Sequence, residues 1–109
     1  MSADAVASAR CVVDASAAAA VVFGEPESDS VVAAVDDAHL LAPDLIRYEL
    51  ASICRKKIAA QAGPADVLLT RLRDVARLPL SVTAVDAVAT AALAAETGLS
   101  AYDAAYLLL

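Results

Sequence analysis

Three carboxylates stand where side chains can do chemistry: Asp14 closes the run Arg10-Cys11-Val12-Val13, Glu49 lies in a long helical segment, and Asp103 falls in the first turn of the last helix. In open α/β sheets, sites form outside the carboxyl ends of the strands, and Asp14 stands at such an end. Glu49 comes four residues after Leu45 and four before Ile53, so it sits on the shoulder of the apolar stripe and faces the sheet edge. Each acid has a plainer alternative. Asp14 also suits a strand end serving the next turn, Glu49 a boundary position, and Asp103 a capping box with Ser100. Asp86 fits a cap better than a catalytic acid. Ser16 reads as the N-cap after the first strand, with a secondary part in orienting Asp14 by hydrogen bonding. His39 has no evident partner.

The elements that would carry these residues alternate between short apolar strands and helices. Strands are expected near 11–13, 39–42 and 79–82. Helices are expected at 17–23, stopped by Gly24 and Pro26, at 28–38, and at 45–62, where Pro43 and Asp44 open the longest helix and Gly63-Pro64 closes it. A further helix spans 66–77 with Val67, Leu68, Leu72 and Val75 inward. Thr83 to Asp86 has capping-box spacing before an Ala-rich helix that ends at Thr97-Gly98, and Ser100 to Asp103 repeats the spacing. This order indicates a parallel sheet covered on both faces, the α/β class.

Composition sets the bounds. A chain of 109 residues is one domain, 1–109, and its 61% apolar content excludes intrinsic disorder. Twenty-nine alanines against one Phe, three Tyr and no Trp leave Leu, Val and Ile to fill the core between close-packed Ala. No apolar run reaches the roughly 18 residues of a membrane span. The first ten residues have neither a basic start nor an apolar signal core, so the expected location is cytoplasmic, with no membrane partner. Cys11 and Cys54 read as reduced core thiols, without a disulfide or zinc site. The net charge of −6 divides unevenly: −7 over residues 1–46, +4 over 47–77 and −3 over 78–109. An acidic domain is a poor nonspecific binder of nucleic acid, yet a local basic segment can hold a phosphate backbone beside clustered carboxylates.

Taken together, Val12-Val13-Asp14-Ala15-Ser16, then Ala42-Pro43-Asp44-Leu45 leading through Tyr48-Glu49-Leu50 into Arg55-Lys56-Lys57, then Leu99-Ser100-Ala101-Tyr102-Asp103-Ala104-Ala105-Tyr106, resembles PIN-domain ribonucleases, most closely VapC-type toxins of toxin–antitoxin pairs. The resemblance runs from Arg10 onward and rests on the ordered triplet. It implies a three-layer α/β/α domain with a small parallel sheet. It also implies that Asp14, Glu49 and Asp103 are the catalytic, metal-binding acids, converging on Mg²⁺ or Mn²⁺ for RNA hydrolysis. The cation would relieve repulsion among the acids and lower the pKa of a coordinated water. Arg47, Arg55, Lys56 and Lys57 would position the RNA backbone, with Ser16 in support. The implied partners are RNA, a cognate antitoxin and a second copy in a homodimer.

Family members continue past the last helix into further strands, one followed by a fourth acid in a Thr-x-Asp segment that this sequence lacks. Leu107-Leu108-Leu109 ends the chain without a cap, so the C-terminal strands are expected to be missing, leaving the first strand on an open edge. The alternative function is accordingly a truncated, catalytically inactive module that binds an antitoxin or self-associates. Two other phosphate-handling classes fit less well. Haloacid-dehalogenase-like phosphatases need a second acid where Ser16 stands. Receiver domains need an acidic pair after the first strand and a lysine near the end, whereas the only lysines are Lys56 and Lys57.

Overall fold

A computed structural model describes residues 10–35 and 38–109. The order is β1 (Arg10–Val12), α1 (Ala15–Val22), α2 (Ser28–Ala34), β2 (His39–Pro43), α3 (Ile46–Ala59), α4 (Ala65–Arg73), a 3-10 turn (Asp74–Arg77), β3 (Leu80–Thr83), α5 (Ala87–Thr97) and α6 (Ala101–Leu107). Both strand pairs are parallel, in the order β1-β2-β3, and the architecture is the expected α/β/α type. All three strands fall within a residue of their expected positions. β1 pairs with β2 alone among the described residues, so it is an edge strand and β2 is central.

Strand pairing puts Cys11, Leu40, Ala42, Leu80 and Val82 on one face of the sheet. That face carries the core. Ile46, Leu50 and Cys54 follow each other at four-residue spacing on α3, are almost wholly buried, and pack with Ala15, Ala18, Ala19 and Phe23 of the α1 region and Leu68 of α4. Alanine on α1 lets its backbone approach closely, as the composition suggested. The opposite face is covered less evenly than expected. Arg10, Val12, His39 and Ser81 are exposed there, while Pro43, at the end of β2 that α6 packs against, is fully buried.

Several local expectations are corrected by packing. Asp14, not Ser16, is the N-cap of α1, because the helix starts directly after the strand and Oδ1 of Asp14 accepts from the Ala17 amide at 2.8 Å. The cap of α5 is likewise Asp86, whose Oδ2 accepts from Ala89, while Thr83 ends β3. Pro43 ends β2 and does not open α3, since the Asp44 amide donates to the Thr83 carbonyl and extends the ladder to β3. The long helix stops at Ala59, with Gln61 in the left-handed region at φ 55° ahead of Gly63. Val67 faces solvent at 42% exposure, whereas Leu68 is buried. His39 has a partner after all, Ser81 on the neighbouring strand, at 3.1 Å from Nε2 to Oγ. The Ala-rich α5 buries only Thr90 and exposes Val88; Ala87, Ala91, Ala92 and Ala95 face solvent, and Ala89 and Ala94 are half-buried. Gly98 closes it at φ 75° as expected, and both cysteines are free.

Candidate active site

Asp14, Glu49 and Asp103 line one open cleft of about 430 Å³, together with Cys11, Ser16 and Tyr106. Each arrives on a different element. Asp14 lies two residues beyond the end of β1 and caps α1, so the positive end of that helix faces its carboxylate. Glu49 is in the first turn of α3, one residue before the buried Leu50, and is half-buried on the edge of the apolar stripe. Asp103 is in the first turn of α6, whose start is fixed by the Ser100 hydroxyl accepting from the Asp103 amide at 3.1 Å. The Asp103 side chain lines the cleft besides occupying the cap-box position. Ser16 also lines the cleft from the first turn of α1, although the cap it was expected to make belongs to Asp14.

Two of the three carboxylates are pinned by protein donors through one oxygen each. Ala17 holds Oδ1 of Asp14, and the Tyr106 hydroxyl donates to Oε1 of Glu49 at 2.7 Å. Burial, the Glu49 hydrogen bond, and the nearby charges of Glu49 and Asp14 hold the Tyr106 phenol well above its ordinary pKa, while a hydrogen bond with the Ala15 backbone acts in the opposite sense. Tyr106 therefore stays protonated as a donor. Its place was missed from sequence, although the i, i+3 spacing of Asp103 and Tyr106 on one helix face signals that both reach the same side.

Among the described residues no three acidic, His or Cys side chains stand together as a ready ligand cage. The acids share a cleft but do not form a closed shell. The chemistry of the donor set nevertheless suits a hard cation. All three offer carboxylate oxygens, and Mg²⁺ commonly takes one or two of these and completes its shell with waters and substrate phosphates.

The basic residues are dispersed. None of Arg47, Arg55, Lys56 and Lys57 lines the acidic cleft. Arg47 sits 3.7 Å from Asp44 in an exposed pair and lines a separate depression with Arg73. Arg55 and Lys56 are exposed on α3. Lys57, expected at the RNA backbone, has partners within the fold: Nζ is 3.1 Å from Oε1 of Glu25 and 5.6 Å from the centre of the Phe23 ring, which clips α3 to the end of α1.

Three acids gathered beyond the first strand and at two helix starts stand where open α/β domains place their ligand sites. Residues 11–109 match the PIN domain family, and the chain is a member of it. PIN domains are in general metal-dependent nucleases. No curated protein matches the chain. Among the described residues no helix is long and apolar enough to cross a membrane.

Proposed function

We propose that this chain is an endoribonuclease of the VapC toxin type that hydrolyses RNA phosphodiester bonds with Mg²⁺ or Mn²⁺ held by Asp14, Glu49 and Asp103. The observation that carries the reading is the meeting of these three acids, from β1–α1, α3 and α6, in one open cleft. A divalent ion bound there would supply an activated water and stabilise charge on the leaving oxygen. The protein's part is to hold the acids in register. One oxygen of Asp14 is held by the Ala17 amide and one of Glu49 by the Tyr106 hydroxyl, which would leave the other oxygen of each for the cation, and Asp103 lines the same cleft. Lys56 lies seven residues after Glu49, two turns further along nearly the same helix face, roughly 10 Å away by helical rise. With Arg55 it would take the RNA backbone leading from the cleft. Few aromatic side chains are available for base stacking, so RNA shape would govern the choice of cleavage site.

A second reading is a non-catalytic module that binds an antitoxin or a second copy of itself. It has in its favour the single-sided pairing of β1 and the 40% exposure of Val12, since an unpaired strand edge is a template for another chain. One experiment separates the two. A mixed RNA pool is incubated with the protein and Mg²⁺ or Mn²⁺, with chelator, and with Asp14→Asn. Cleavage that needs both the metal and Asp14 supports the nuclease. Cutting that persists in chelator or in the variant marks a contaminant, and no cutting by folded protein favours the binding module.

A further inference from the structure

Tyr106 reaches across from α6 to α3, far away in sequence. Its hydroxyl donates to Oε1 of Glu49, 57 residues earlier, at 2.7 Å. A hydrogen bond to an ionised carboxylate is of the stronger, charge-assisted kind. Asp103 lies three residues before Tyr106 on the same helix and lines the same cleft. The hydroxyl thus ties α6, which bears Asp103, to α3, which bears Glu49, and no other side-chain hydrogen bond among those described joins the two helices.

We infer that Tyr106 is a positioning residue: its hydroxyl holds Oε1 of Glu49 so that Oε2 is presented to a divalent cation in the cleft. This rests on the reading that the cleft takes such a cation. Without the clamp, Glu49 has the rotamer freedom of a half-exposed side chain, and ordering it falls to the cation itself. Residues that orient metal ligands in this way typically change metal affinity by about 10–100-fold when removed.

The test is calorimetric titration of the whole chain with Mn²⁺ alone, for the unaltered protein, Tyr106→Phe, Glu49→Gln and the double variant, alongside thermal melts in chelator. Phenylalanine keeps the ring and its packing and removes only the hydroxyl. The expected result is a loss of Mn²⁺ affinity of about 10–100-fold in Tyr106→Phe, and no further loss when the same change is made in Glu49→Gln, because the effect acts through that carboxylate. Equal affinity for Tyr106→Phe and the unaltered protein overturns the inference while leaving the metal reading intact. So does an equal loss in both backgrounds, which marks a general structural role. Should Tyr106→Phe melt too low to titrate, the comparison is repeated with Tyr106→Met: affinity kept overturns the inference, and affinity lost only when Glu49 is present supports it. No Mn²⁺ binding by the unaltered, folded protein overturns the metal reading and the inference with it.

Discussion

Asp14 has two duties in this structure, and substitutions can divide them. Its Oδ1 caps α1 through the Ala17 amide at 2.8 Å, and its carboxylate lines the acidic cleft. The cap matters because α1 is no surface helix: Ala15, Ala18, Ala19 and Ala20 are all buried, so its first turn cannot fray without disturbing the core. Asn is as good an N-cap as Asp, whereas Ala makes no cap bond and costs about 1 kcal/mol. Loss of the negative charge at a helix N-terminus removes a further 0.3–1 kcal/mol, roughly, in either variant. Relief of repulsion with Glu49 and Asp103 offsets that loss in both. The stability gap between Asp14→Ala and Asp14→Asn should therefore be about 1 kcal/mol, or a difference of roughly 4 °C in Tm for a domain of this size. Both variants should lose divalent-metal binding alike. Urea unfolding in chelator measures the first effect and Mn²⁺ titration the second. Equal stability of the two variants would refute the capping role, and full metal affinity in Asp14→Asn would refute the role in the cleft.

Lys57→Ala should destabilise the fold by about 1 kcal/mol, the combined size of a partly buried ion pair and a cation–π contact, and leave RNA affinity unchanged; a weaker RNA complex with no change in unfolding contradicts this. Replacing Arg55 and Lys56 together by Ala should flatten the salt dependence of RNA binding by about 1.4 in the log–log slope, two phosphate contacts on a single strand, read by fluorescence anisotropy across a salt series. An unchanged slope removes both from the interface. In chelator, the raised pKa of Tyr106 gives a contribution to stability that is complete below the ordinary phenol value of about 10. It declines as pH rises above that, because the unfolded chain releases its proton first. Unfolding between pH 9 and about 11 should therefore show a steeper fall for the unaltered protein than for Tyr106→Phe, and parallel curves would contradict the part-buried hydrogen bond to Glu49.

The strand–helix alternation and the acids at element ends were legible because both are local. Val12-Val13-Asp14 marks a strand ending in a polar residue, and Ser100 to Asp103 marks a helix start, whatever the rest of the chain does. The cap of α1 was misplaced because two good caps, Asp14 and Ser16, stand two residues apart, and only the absence of a turn between β1 and α1 decides between them. The part played by Lys57 was hidden for a different reason. Its partners Glu25 and Phe23 lie more than thirty residues away, and nothing in a basic run on a helix tells which cation finds a long-range partner. The alanines of α5 gave no guide to burial, since a helix of small apolar residues has no face that composition can assign to the core. Tyr106 was visible as a residue one turn after Asp103, but its bond to Glu49 depends on how α6 crosses the start of α3.

The central claim, that Asp14, Glu49 and Asp103 act as one divalent-metal site, is tested most directly by recording the amide NMR spectrum of the whole chain while Mn²⁺ is added at substoichiometric amounts. The paramagnetic ion broadens amides close to it and spares distant ones. The account predicts that signals of residues 14–17, 49 and 103–106 are the first to disappear, together and at the same metal concentration, and that Asp14→Asn protects all three groups at once. Broadening centred on exposed acids elsewhere, such as Asp66 or Glu96, would contradict it, as would loss at Glu49 and Asp103 that persists unchanged in Asp14→Asn.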